Sequence, residues 1–347
     1  MESWRKGFER AIGDIMWGQW AALGAYVAAE TCRKAVIDPE ALIVATCAFG
    51  RGDARIFDEA LDWTVVNHRF LKPWRLKKIG GLFGADTLRT LGALLEYAAL
   101  ETGRDLFPGV REEARGALGE AEEEELFRRE KGLYGDGTKA RDEVFARWKL
   151  LRGSPRVRRH SGKPDLDNPA NLMLRLREYY GAGARADVMT YLLTNGGGSS
   201  NGIAARIKYR QGSVYGVLED LVRAGMAHKK GGRGNAYYWI DRERVAASLG
   251  LGKRLPVFFA WGDVFHAFFV VASDAERNPG KYADPFLAAE RMRDLASEVV
   301  PMLRAAGEPL ARLSFPRPGK LKGEEHAAAL VAFLEEAVGI LLKHALG

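Results

Sequence analysis

Residues 185–241 read RADVMTYLLTNGGGSSNGIAARIKYRQGSVYGVLEDLVRAGMAHKKGGRGNAYYWID, and the order of their segments sets the expectations for the whole chain. Residues 186–193 offer Val188, Tyr191 and Leu192 to a core. The glycines at 196–198 stop that helix, because glycine takes the left-handed backbone of a helix end without steric cost. Ser199 or Ser200 is placed to cap a second helix, whose Ile203, Ala204 and Ile207 share a face. Residues 209–212 read as a turn and Ser213 as the N-cap of a third helix. The apolar residues of that helix, Val214, Val217, Leu218, Leu221 and Val222, recur at the spacing of one helical stripe. Gly225 ends it. Residues 226–230 and 236–240 then read as two strands around GGRGN at 231–235, since Asn and Gly accept the positive φ of a tight hairpin.

Three helices followed by a two-stranded β wing is the order of a winged helix-turn-helix. The expected fold class is mainly α, with this module at the centre and all-helical domains on both sides. Residues 1–150 are expected as a helical N-terminal domain, 151–182 as a basic linker and lead-in helix, 183–245 as the module, and 246–347 as a C-terminal helical bundle.

Charge supports the same focus. The 347 residues carry a formal +7, yet residues 151–245 alone hold 17 Lys and Arg against 8 Asp and Glu. That surplus exceeds the net charge of the whole chain, so the rest is net acidic and the basic character sits on the module and its lead-in, as a polyanion-binding surface requires. The third helix is polar at its amino end (Gln211, Ser213, Tyr215, Gly216) and acidic only later, at Glu219 and Asp220. A recognition helix enters the major groove by its amino end, where its dipole favours phosphate and carboxylates would be repelled. Lys229, Lys230 and Arg233 lie near the tip of the hairpin, where a phosphate backbone can be met.

The tract QGSVYGVLEDLVRAGMAHKKGGRGNAYYWID resembles the recognition helix and basic wing of MarR- and ArsR-type bacterial transcription regulators. The resemblance spans about 55 of the 347 residues. It implies a sequence-specific regulator of transcription that binds double-stranded DNA. Arg210, Gln211, Ser213 and Tyr215 would then face bases or nearby phosphates, Lys229, Lys230, Arg233 and Asn235 would form the wing contact, and Ser199, Ser200, Arg206 and Lys208 would border the same surface. The flanks do not resemble the dimerisation helices of either family, and the cysteine-rich metal site of many ArsR-type sensors is missing. A homodimer or a protein partner bound through the helical flanks stays open. So does the alternative of a winged-helix protein-interaction module, such as the antitoxin-like half of a two-protein system.

Other signals argue against competing functions. Residues 196–200 are glycine-rich but lack the spacing and lysine of a phosphate-binding loop. Six histidines are scattered without metal-ligand spacing, and no GxSxG nucleophile motif occurs. The expectation is therefore no enzyme, no cofactor and no metal. Cys32 and Cys47 read as buried free thiols suited to a reducing cytoplasm, and His266 as a core histidine. Residues 15–29 are apolar, but Asp14 and Glu9 precede them and their pattern is helical, so they read as part of an amphipathic helix over 4–30 rather than a signal peptide. No membrane span is expected.

Elsewhere the pattern predicts helices from Pro39 (after Asp38 as N-cap) through Phe49, over 55–67, 73–79 and 86–101, an acidic solvated helix in the stretch after 103, and another over 140–151. The three over 55–101 loosely resemble a degenerate helix-turn-helix. Within them HRFLKPWRLKK at 68–78 interleaves five Lys and Arg with Phe70, Leu71, Trp74 and Leu76. Residues 152–164 read as an extended linker or arm, followed by a capped helix to Tyr180. After the module, helices are expected over 242–251, 257–272, 286–305 and 324–345.

Overall fold

Asp38 accepts the amide hydrogen of Ala41 and Pro39 sits at the first helical position, so a helix starts there, as a capped proline start predicts. It runs Pro39–Phe49 and is buried almost all round, which makes it the axis of the helical scaffold. The computed structural model describes residues 2–119, 121–127, 141–232, 234–252, 254–282, 284–316, 320–321, 323 and 325–346. Among these the chain is mainly helical: α1 Glu2–Ala22, α2 Pro39–Phe49, α3 Ala54–Asn67, α4 Pro73–Gly80, α5 Ala85–Thr102, α6 Pro108–Gly116, α7 Glu143–Ala146 and α8 Leu172–Tyr180. There follow α9 Ala184–Thr194, α10 Ser200–Ile207, α11 Gln211–Arg223, α12 Arg242–Ser248, α13 Trp261–Arg277, α14 Pro285–Ala306, α15 Glu308–Ala311 and α16 Glu325–Ala345. Among the described residues strands are confined to two small pairs, a parallel one of β1 Glu124–Glu125 with β2 Leu150–Leu151 and an antiparallel one of β3 His228–Lys230 with β4 Tyr237–Trp239. No helix among the described residues is long and apolar enough to cross a membrane.

Around α2 pack α1, α3, α4, α5 and α13, while α14 and α16 close the far side against α13 and α1. Buried apolar residues from α1 to α16 form one continuous cluster. Cys32 and Cys47 are buried free thiols within it, pushed up by that burial. His266 is half-buried against the Phe83 ring, at 5.5 Å, and burial holds its pKa down.

Three expectations need correction. The long helix over 4–30 stops at Ala22, because Gly24 takes φ +86 and turns the chain into an extended segment. The helix over 140–151 shrinks to α7: Asp142 caps the amides of Val144 and Phe145, and Lys149 at φ +55 breaks the helix before Leu150 and Leu151 pair as strand β2. Residues 128–140, whose sequence carries a basic run at 128–131 and a glycine-rich turn signal at 134–137, lie outside the described residues. The supposed arm at 152–164 is extended but fastened to the helices. Asp62 on α3 accepts the amides of Arg159 and Ser161 at 2.6 and 2.9 Å, and Tyr97 on α5 donates to the Pro155 carbonyl at 3.1 Å. Arg152, nearly buried among the Phe57, Phe127 and Phe145 rings, pairs with Asp58 at 2.7 Å.

What joins the scaffold to residues 184–241 is a buried set of five charges. Arg177 on α8 binds Asp187 on α9 through two hydrogen bonds of 2.8 Å, and binds Glu40 on α2 at 2.8 and 3.1 Å. Arg75 on α4 pairs with Asp38 and Glu40, and its Nε donates to the Ile207 carbonyl at the end of α10 at 2.9 Å. Both guanidinium groups and the carboxylates of Glu40 and Asp187 are fully excluded from solvent. Three carboxylates face two guanidiniums, and the surplus negative charge tells on Glu40. Burial pushes its pKa up, with repulsion from Asp38 and Asp187 adding to burial against the pull of Arg177 and Arg75. Burial also opposes the charge on Asp38, but there Arg75 and Arg177 win and hold the carboxyl below its usual range.

These signs make a prediction. A carboxyl raised on folding contributes stability that is fully present below its ordinary value of 4.5 and is lost as pH rises through the raised value. Glu40→Gln is therefore expected to flatten the fall in urea midpoint as pH climbs from 4.5 to the raised value. An unchanged pH slope would show that Glu40 is not the strained member.

Candidate nucleic-acid interface

Helices α9, α10 and α11 pack on one another, and the hairpin β3–β4 follows directly. Gly198, between α9 and α10, exchanges two backbone hydrogen bonds of 2.9 Å with Tyr238 of β4, which fixes the hairpin to the helices. Along β4 the side chains alternate: Tyr238 is buried, whereas Tyr237 is exposed and Trp239 half-buried. Asn235 closes the tip by accepting the Gly232 amide at 3.0 Å.

Helix α11 begins at Gln211, two residues before the expected cap. Lys208 takes φ +59 and ends α10, the turn spans 208–210, and Arg210 is the N-cap residue without a capping side-chain bond. Ser213 is thus inside the first turn, its amide bonded to the Arg210 carbonyl. Val214, Leu218 and Leu221 face the core, as the stripe predicts, so Gln211, Gly212, Ser213, Tyr215 and Gly216 are left in solvent together. Ser199 is the cap of α10, accepting the Gly202 amide at 3.1 Å, and Ser200 accepts from the Gln211 side chain at 2.9 Å.

The two carboxylates further along α11 are both compensated. Glu219 accepts from Lys229 of β3 and from the Tyr238 hydroxyl, each at 2.6 Å. Those two hydrogen bonds hold Glu219 below its usual range, while burial and Glu219 push the Tyr238 phenol up to about 12. Asp220 pairs with Arg185 at 3.4 Å and with Arg223.

The basic residues expected at the interface divide into two groups. Arg206 and Lys230 make no ion pair with another described residue. Arg210 is exposed, its guanidinium lying 4.2 Å from the centre of the Trp74 ring on α4. By contrast Lys229 is committed to Glu219, and Lys208 to Asp263 of α13 at 2.5 Å, with little of the Lys208 side chain in solvent. Arg233 lies outside the described residues.

Sequence patterning does not assign three participants: Asp263, Trp74 and Lys78. Lys78 on α4 donates to the Tyr209 carbonyl in the turn at 3.1 Å. Its pKa is lowered by burial and then by the charges of Lys208 and Arg210 beside it, with only Asp263 opposing. The basic-aromatic run at 68–78 is the available signal for Trp74 and Lys78. Nothing in spacing points to Asp263, which is 55 residues from its partner.

Among the described residues no group of three or more His, Cys, Asp or Glu side chains is placed to hold a metal ion. The chain matches no model of a known protein family, no curated protein and no solved structure.

Proposed function

We propose that residues 184–241 act as a winged helix-turn-helix and that the protein binds double-stranded DNA sequence-specifically, as a cytoplasmic regulator of transcription. The segment is then the counterpart of the winged helices in the MarR- and ArsR-type regulators it resembles. The observation that carries this reading is the exposed amino end of α11, which presents Gln211, Ser213 and Tyr215 without a carboxylate among them. The acidic residues one turn later are paired with cations, so an approaching phosphate backbone meets no free negative charge from this helix. Side chains able to hydrogen-bond base edges thus sit where a helix dipole also favours anions. Arg210 on one side, and Arg206 and Lys230 beyond it, supply the sequence-independent attraction.

The test separates affinity from specificity. Wild-type protein is expected to bind duplexes with an affinity that falls steeply with salt, and the double substitution Arg210→Glu with Lys230→Glu is expected to abolish binding to every sequence. Gln211→Ala with Tyr215→Ala should leave non-specific binding in place and relax sequence preference, at about 1–3 kcal/mol for each base-edge interaction removed. Selection of bound fragments from random duplexes measures both. Absence of duplex binding by the wild type at low salt would overturn the reading.

A further inference from the structure

Outside residues 184–241, the helix α4 presents Trp74 and Lys78 one helical turn apart, on the side that meets the α10–α11 turn. Three cations converge there: Lys78, Lys208 and Arg210, close enough that the last two lower the pKa of the first. Among the described residues Asp263 is the carboxylate that acts on Lys78, and it is bound to Lys208. Lys78 uses one N–H on the Tyr209 carbonyl and is part-buried, so two ammonium donors are left for another acceptor. Arg210 is exposed, yet its guanidinium carbon lies over the Trp74 ring, 4.2 Å from its centre, a cation–π contact that restrains the side chain. A cluster of like charges is stabilised by an incoming anion, and a restrained side chain loses less entropy on binding phosphate than a free one.

We propose that α4 extends the DNA-binding surface beyond the winged segment. Lys78 contacts a backbone phosphate flanking the recognition site, and Trp74 is a positioning residue that holds Arg210 for a neighbouring phosphate. The partner is duplex DNA, chosen by charge complementarity, and the inference rests on the function proposed above. It gives the scaffold a direct part in binding, because the same helix carries Arg75 into the buried charge set.

The experiment is duplex affinity as a function of salt for wild type, Lys78→Gln, Trp74→Phe, Trp74→Leu and Arg210→Gln, with a random-sequence duplex as probe. Removing one phosphate interaction lowers the log–log slope by about 0.9, so across a fourfold rise in salt Lys78→Gln is expected to lose roughly threefold less affinity than wild type. Trp74→Leu should lower the slope by the same amount as Arg210→Gln and add nothing to it in the double variant. Trp74→Phe, which keeps an aromatic face, should retain most of the wild-type slope. A merely structural role for these residues would move the thermal midpoint and leave the slope alone. If the wild type binds duplex and Lys78→Gln keeps its slope, the extension over α4 is wrong while the winged-helix reading stands. If the wild type binds no duplex, both fall.

Discussion

Arg177→Met is expected to destabilise the fold by about 3–5 kcal/mol, the range for breaking a buried ion pair by removing one partner. The side chain is fully buried and donates to Asp187, to Glu40 and to the Phe70 carbonyl at 2.7 Å, so its loss strands a carboxylate and a carbonyl together. Asp187 suffers most. Both of its oxygens lose a bond, and the nearest cation left is Arg75, whose Nε is 3.7 Å away. Glu40 fares better, since Arg75 and the Lys72 amide still donate to it. The cost is thus that of an unpaired buried charge rather than of missing attraction as such. A second variant separates the two. Arg177→Met combined with Asp187→Leu removes the stranded charge together with its partner, and is expected to recover more than half of the loss. Urea unfolding of the single and double variants decides the matter. Additive losses would mean that Arg177 and Asp187 are not coupled and that no stranded charge sets the cost, and a single-variant loss under about 1 kcal/mol would mean that water reaches Asp187.

That network also explains where sequence reading succeeds and where it fails. Local rules locate the helices. Asp38 and Pro39 start α2, the Val214–Val222 stripe orients α11, and the glycine-rich tip predicts the β3–β4 hairpin, because each depends on residues within a turn or two. The candidate site is legible to the same extent: the polar amino end of α11 is exposed because its opposite face is apolar. Long-range pairing is not legible. Arg75 sits in the basic-aromatic run at 68–78 with nothing local to mark it out, yet it is fully buried between Asp38, Glu40 and the end of α10. Lys208 follows a helix end like any exposed lysine, and only the fold brings Asp263 to it. Charge patterning shows where cations lie along a chain but not which carboxylate has already taken them. Lys208 and Lys229 therefore leave the free basic surface once distances are known, while Arg206, Arg210 and Lys230 stay on it. Helix ends fail for a narrower reason. Gly24 and Lys149 break apolar patterns that continue past them, and their backbone conformation outweighs the pattern.

Gly197→Ala is expected to detach the hairpin and weaken duplex binding. Gly197 takes φ +119, in a region that L side chains rarely adopt, at a cost of about 1–3 kcal/mol for a residue with a Cβ. Space is lacking as well. An added Cβ would lie under 3.0 Å from the Tyr238 carbonyl oxygen and 2.9 Å from the Tyr237 ring. Neither neighbour can yield cheaply. The Tyr238 oxygen accepts the Gly198 amide at 2.9 Å, and the Tyr238 amide donates back to the Gly198 carbonyl, so moving the strand breaks the bridge that holds it. Tyr238 is fully buried, and its hydroxyl reaches Glu219 on α11, so a shifted β4 also releases the carboxylate that Lys229 and Tyr238 together neutralise. Freed negative charge on α11 would repel a phosphate backbone just as the hairpin loses its place. Gly196→Ala is the control: no atom lies within 4 Å of its Cβ site, and its backbone is not left-handed. Hydrogen exchange at the Tyr238 amide should rise in Gly197→Ala and stay at the wild-type rate in Gly196→Ala, with duplex affinity falling only in the first. Equal protection in both variants would show that the hairpin is held by something other than the Gly198–Tyr238 bridge, and the coupling between hairpin and α11 would then have to run through the bonds of Glu219 to Lys229 and the Tyr238 hydroxyl.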